Sequence, residues 1–300
     1  MMYAKILVPL DGSKTAENVV PLARSFARGL QIPVELLGVV DVDERARPGR
    51  PREASMIRSI VDDATRRFDD YLKRVAKNFF VGKVQCTVRK GNAAEAIIEL
   101  AAAEKRTLIA MATHGRSGLD RWLLGSVAEK VLRGASNPTL VVRAKKEKNP
   151  SWEMATLKRV IVPLDGSELS ERILPHVEAL AKHLDLEVTL LGIYGGRLRA
   201  GAGEGFHSTG AFIESLRNET EIYLTAKSEE MKQRGLNKVS FAAKQGLEAD
   251  QIIATAQEAL DTLIAMCTHG RTGVQRWMLG SVTETVVRHS NDPVLVVRST

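Results

Sequence analysis

The sequence predicts an α/β protein of two tandem, doubly wound domains, each built on a five-stranded parallel sheet. Three observations carry this. Short apolar, β-rich runs alternate with helical segments along the chain, the pattern of parallel strands joined by helical crossovers. The alternation runs through the same order twice. Two motifs also recur: Val8-Pro-Leu-Asp-Gly-Ser13 returns as Val162-Pro-Leu-Asp-Gly-Ser167, and THGRSGLDRWLLGSV at 113–127 returns as THGRTGVQRWMLGSV at 268–282. The offsets, 154 and 155, keep the halves in register almost throughout, which means two copies of one domain rather than a short-period solenoid. The 300 residues suit domains over 1–146 and 156–300, with a linker at 147–155 inside the Lys-rich stretch around Asn149-Pro150.

Each element has its own signal. Ala4–Leu10 is apolar and bounded by Asp11-Gly12, as a buried parallel strand is. A helix follows, with Ser13 as its expected N-cap and Val19, Val20, Ala23, Phe26, Ala27 and Leu30 along one face. Val34–Val40 is the second strand, and Ser55–Phe79 a long, charged amphipathic helix. Val84, Cys86 and Val88 alternate with polar residues, so a strand with Cys86 facing inward is expected. Ala93–Glu104 reads as helix, Leu108–Ala112 as strand, Ser126–Arg133 as a helix stopped by Gly134, and Thr139–Arg143 as the last strand. The second half repeats this with strands at 160–164, 187–193, 238–243, 262–267 and 294–298, and helices at 168–184, 211–234, 248–259 and 281–289. Six glycines between Gly195 and Gly210 interrupt one connection; a lid and simple disorder are both open there.

Composition narrows the function classes. No apolar run approaches the ~20 residues that span a bilayer. The first residues run directly into a strand, leaving no room for a signal peptide. Only Cys86 and Cys267 are present, so no disulfide framework is expected and a reducing, cytoplasmic setting fits. The net charge of +7 is uneven: residues 1–150 hold 27 Lys/Arg against 17 Asp/Glu, the rest 16 against 19. The basic half lacks interleaved aromatics or a reading helix, so a solvated surface is expected rather than a nucleic-acid partner.

The chemistry concentrates at the repeated motifs. Gly115 and Gly118 follow a strand end, where an open α/β sheet places ligands and where glycine lets backbone approach a polyphosphate. Gly125-Ser126 and Gly280-Ser281 then open helices whose unpaired N–H groups and dipole favour an anion. No Gly-x-x-x-x-Gly-Lys-Ser/Thr occurs, so this cradle has no Walker-type lysine. A second role is open at the same residues, because Ser126-x-x-Glu129 and Ser281-x-x-Glu284 also fit capping boxes. Asp11 and Asp165 end the first strand of each half and suit either a ligand or the turn before the next helix. Cys267 is read as a buried, inert thiol, with reactivity near a helix N-terminus as the alternative. His114 and His269 have no Ser–His–Asp or metal-ligand partners in the sequence, and Trp122 and Trp277 read as packing residues.

These motifs resemble the universal stress protein family in its tandem two-domain form, over nearly the whole chain. The resemblance implies an adenine nucleotide alpha hydrolase-like, Rossmann-like fold and an ATP site, with magnesium as a possible companion of the nucleotide. The family signature is Gly, two residues, Gly, nine residues, Gly and then Ser or Thr. Gly115 and Gly270 match its second glycine, and Gly125-Ser126 and Gly280-Ser281 match its end; Ala112 and Cys267 replace its first glycine. By the same resemblance the ligand meets Pro9, Leu10 and Asp11 in the first domain, with the backbone of Val39 at the adenine edge. Met111 and Ala112 lie beside it, and Gly115, Gly125, Ser126 and Val127 surround the phosphates. The second domain offers Pro163, Leu164 and Asp165, then Ile193, Met266 and Cys267, with Gly270, Gly280, Ser281, Val282 and Thr283 at the phosphates. Gly38 and Gly192 stand where relatives often carry His.

The expected function is therefore an ATP-binding stress-response regulator. A nucleotide-free interaction module of the same fold and a slow ATP hydrolase are the alternatives. The near-identical last strands, Thr139–Arg143 and Val294–Arg298, suggest an internal pseudo-dimer of the two domains, with a homodimer also open.

Overall fold

The structure is a computed structural model that describes residues 2–41, 51–79, 82–113, 124–143, 154–196, 209–268 and 279–298. The chain divides into two compact units between Ala155 and Thr156. Among the described residues no helix is long and apolar enough to cross a membrane.

The first unit runs β1 (Lys5–Leu10), a 3-10 turn (Ala16–Val19), α1 (Val20–Leu30), β2 (Val34–Val40), α2 (Pro51–Ala76) and β3 (Val84–Lys90). It continues with α3 (Ala93–Ala102), β4 (Thr107–Ala112), α4 (Ser126–Gly134) and β5 (Thr139–Val142). Its strands lie in the order β3-β2-β1-β4-β5, every pair parallel. The second unit repeats the plan: β6 (Arg159–Pro163), α5 (Glu168–Glu171), α6 (Leu174–Leu184), β7 (Glu187–Gly195), α7 (Thr209–Gln233) and β8 (Val239–Gly246). Then come α8 (Glu248–Gln257), β9 (Thr262–Cys267), α9 (Ser281–His289) and β10 (Val294–Val297). Its order is β10-β9-β6-β7-β8, again parallel. All six residues of β4 and of β9 are buried, as befits central strands covered by helices on both faces. The stripe expected on α1 is buried in full, from Val19 to Leu30.

Several local expectations change. Ser13 is not the N-cap of α1, which is Val19: its Oγ accepts from the Ala16 N–H at 3.1 Å, in the turn ahead of the 3-10 segment. The helix expected over 168–184 is two helices, α5 and α6, parted at Arg172-Ile173. Pro175 explains the break, since a proline in the first turn removes a donor and clashes with the carbonyl four residues back. Pro21 does the same to the first unit, which is why a tight turn precedes α1. Helix α2 is described from Pro51, ahead of the expected Ser55. Gly134 is the last residue of α4, and the extended Ala135 follows. Its missing side chain serves packing, since a Cβ there would stand 2.7 Å from Ile98 Cδ1 on α3. Cys86 lies near α2 and is only half-buried, because β3 is an edge strand; burial and Asp69 of α2 push its thiol pKa up.

The helices after β3 and β8 differ at their starts. Asn92 Oδ1 accepts from the N–H groups of Ala94 and Glu95 at 3.0 and 3.2 Å, whereas Leu247 stands at the matching N-cap of α8 and offers no such bond. Asn92→Ala is expected to cost about 0.5–2 kcal/mol, while Leu247→Asn should stabilise. Urea denaturation followed by circular dichroism measures both; equal stability of parent and Asn92→Ala would remove the cap from the account.

Candidate functional site

Topology opens a crevice in each unit. β1 pairs with β2 as far as Leu10↔Gly38, but its pairing with β4 stops at Leu7↔Ile109. In the second unit β6 follows β7 to Pro163↔Leu191 yet leaves β9 after Ile161↔Ile264. The neighbouring strands therefore part at their C-terminal ends, where the strand order reverses and open α/β sheets receive ligands.

One wall is the turn after the first strand. Asp11 Oδ1 accepts from the Ser13 N–H at 2.9 Å and from Ser13 Oγ at 2.6 Å. Asp165 repeats this with Ser167, at 3.0 and 2.6 Å. Gly12 and Gly166 between them take φ of 83° and 81°, a left-handed conformation that glycine adopts without strain. Both aspartates thus hold their turns, and Asp165 also lines the cleft described below.

The opposite wall is a helix start. Gly125 and Gly280 are the N-caps of α4 and α9, in extended conformations of φ −60°, ψ 144° and φ −59°, ψ 144°. Neither helix has a side-chain cap, and Ser126 and Ser281 are the first helical residues. The capping-box expectation is therefore corrected: the serine sits one position too far into the helix to bridge its start. The helix is pinned to the strand before it by backbone, since the Gly125 N–H donates to Thr113 O at 2.8 Å and the Gly280 N–H to Thr268 O at 3.0 Å. Residues 114–123 and 269–278 lie outside the described residues, and with them His114, Gly115, Gly118, Trp122, His269, Gly270 and Trp277.

In the second unit these walls enclose a cleft of about 450 Å³. Pro163, Leu164 and Asp165 reach it from β6 and its turn, and Ile193 from β7. Met266 and Cys267 close the β9 side, while Gly280, Ser281, Val282 and Thr283 bring the start of α9. All the expected second-domain residues within the described part of the chain thus converge. Sequence reasoning missed the wall supplied by α7, namely Phe212, Leu216, Glu219, Thr220 and Tyr223, and also Glu248 and Ile252 of α8. The spacing of the α7 residues marks one helical face, the signal that was available. In the first unit Pro9, Leu10 and Asp11 occupy the end of β1 and its turn, and Val39 lies near the end of β2. Met111 and Ala112 are buried at the end of β4, and Gly125, Ser126 and Val127 open α4 with Ser126 exposed.

Two side chains of the second cleft have settled partners. Cys267 Sγ points to Ser170 O of α5 at 3.7 Å, and burial pushes its thiol pKa up to about 12, partly offset by a hydrogen bond from the Ile173 backbone. Thiolate is then scarce at pH 8 and becomes substantial only near pH 12. Iodoacetamide at pH 8 is expected to leave Cys267 of the folded chain unmodified over a period that fully alkylates the urea-denatured chain. Rapid stoichiometric labelling, read by peptide mass spectrometry, would contradict this. The Thr283 hydroxyl donates to Cys267 O at 2.9 Å, with Thr268 O at 3.3 Å. Among the described residues no group of three or more His, Cys, Asp or Glu is placed to hold a metal ion.

Comparison with known proteins agrees with this architecture. The model of the universal stress protein family matches residues 2–143 and again 156–298. A universal stress protein of Methanocaldococcus jannaschii is 34% identical over 148 residues, covering 49% of this chain and 85% of its own length. One from Mycolicibacterium smegmatis is 26% identical over 304 residues, covering 98% of this chain and 96% of its own. The crystal structure of a universal stress protein from Archaeoglobus fulgidus shares the fold, with a TM-score of 0.68 at 19% identity over 99% of this chain and 98% of that one. Matched twice, once in each domain, the chain belongs to the universal stress protein family.

Proposed function

We propose that the chain binds an adenine nucleotide, ATP in at least one domain, and acts as a stress-response regulator in the cytoplasm rather than as a dedicated catalyst. One observation carries the proposal: in the second unit the aspartate turn, the end of β9 and a helix start without a side-chain cap converge on a single cleft. The N–H groups at the start of α9, aided by its dipole, suit phosphate oxygens. Asp165 suits the donors of a ribose or adenine, and the Ile193 backbone suits the base edge. The first domain offers Asp11, Val39 and the start of α4 for the same tasks, together with Gly115 and its loop. Magnesium, where present, would accompany the triphosphate.

Mass spectrometry of small molecules released from the purified, denatured chain, paired with calorimetric titration of ATP, tests this. An adenine nucleotide among the released molecules and saturable ATP heat are expected. Absence of both overturns the proposal and leaves a nucleotide-free interaction module. Contact between the two last strands stays a proposal of the same kind, to be tested by disulfide cross-linking of cysteines placed on β5 and β10.

A further inference from the structure

We propose that the second-domain cleft prefers an adenine ligand of low charge, a nucleoside or its monophosphate, over ATP, and that Glu219 and Glu248 set this preference. The inference rests on the nucleotide reading above and assigns a ligand class to one of the two sites.

The cleft has an acidic rim. Asp165, Glu219 and Glu248 reach it from three separate elements, the β6 turn, α7 and the first residue of α8, while no Lys or Arg lines it among the described residues. The Thr283 hydroxyl, the side-chain donor best placed by sequence to meet a phosphate, is directed to the Cys267 and Thr268 carbonyls. Besides the N–H groups at the start of α9, the described lining suits a base and a sugar: Leu191, Ile193, Phe212, Leu216 and Ile252 give apolar surface, and carboxylates accept hydrogen bonds from hydroxyl and amino groups.

In the first domain, the described residues that match Glu219 and Glu248 are not acidic. Tyr71 donates to Glu17 Oε1 at 3.2 Å and Tyr223 to Glu171 Oε1 at 2.9 Å, so the two tyrosines fix the register of α2 on α7. Arg67 then corresponds to Glu219. The N-caps Asn92 and Leu247 likewise align Ala93 with Glu248. Neither carboxylate has an acidic counterpart. Repulsion from a carboxylate grows with the charge of the ligand, is absent for adenosine, and is largest for ATP. Salt weakens it, because the screening length is about 10 Å at 0.1 M.

The test uses the full chain carrying Gly125→Val to close the first-domain site, titrated with adenosine, AMP and ATP at low and at moderate salt. Adenosine and AMP are expected to bind at least about fivefold more tightly than ATP at low salt, with the gap narrowing as salt rises. Adding Glu219→Gln and Glu248→Gln is expected to tighten ATP by about three- to tenfold without tightening adenosine. ATP binding as tight as adenosine in the Gly125→Val chain, or a ratio unmoved by the glutamines, overturns the inference while leaving the nucleotide reading intact. Failure of all three ligands to bind this chain overturns the inference, and the nucleotide reading falls with it only if the parent chain, with both sites open, also fails to bind them. Should Gly125→Val disturb the first domain, the glutamine pair in the chain with both sites intact decides the same question: the weaker of its two ATP sites must tighten, and an unchanged weaker site overturns the inference.

Discussion

The Gly125→Val, Gly280→Val double variant is expected to lose ATP affinity by more than tenfold, about 1.4 kcal/mol or more. Backbone strain is not the reason, since both glycines are extended at φ −60° and −59°, a conformation that β-branched residues favour. The isopropyl group acts through space. It would stand at the N-cap, beside the first N–H groups of α4 and α9, where a phosphate oxygen must come close. Circular dichroism of the variant should match the parent, because the N-cap contributes no side-chain bond that could be lost. Retained affinity in a folded variant would place the phosphates elsewhere.

Gly38→Ala and Gly192→Ala are expected to destabilise their domains by about 1–3 kcal/mol, the usual range for overpacking. A Cβ on Gly38 would lie 2.3 Å from Phe68 Cδ1 and 2.6 Å from Cε1, and one on Gly192 would lie 2.3 Å from Thr220 Cγ2 and 3.0 Å from Leu224 Cδ1. In each unit the long helix rests directly on the second strand, so the bare backbone is what lets it approach. A side chain larger still, such as histidine, has no room beside Phe68 in the first unit. A double-mutant cycle isolates the contact: Gly38→Ala should cost less in a Phe68→Ala background than alone. Additive costs, measured by urea denaturation, would show that the ring has room to turn aside.

The order of elements was readable because apolar runs, glycines and the long repeat agreed with one another. The glycine and serine at each helix start were readable from spacing, but their division of labour was not. Ser126 and Ser281 look like N-caps because serine is a favoured cap; the backbone places glycine in that position instead, which composition alone does not reveal. The break between α5 and α6 was within reach, since Pro175 marks it. The α7 wall lay further off. Its sequence shows which residues share a face, while only the fold shows that Phe212, Glu219 and Tyr223 line the cleft. By size alone Cys267 would crowd the ligand, yet its sulfur turns to a carbonyl of α5, a choice of rotamer outside what a sequence encodes.

The backbone bonds from Gly125 to Thr113 and from Gly280 to Thr268 have a consequence for the segments they close. They tie the two ends of each intervening segment together, so that strand end and helix start keep their spacing whatever the segment contains. Closing a loop of twice the length costs only about 0.6 kcal/mol more. The frame alone would thus tolerate other lengths, yet both copies hold eleven residues between the bonded pair, 114–124 and 269–279, so their length answers to what the segment itself does.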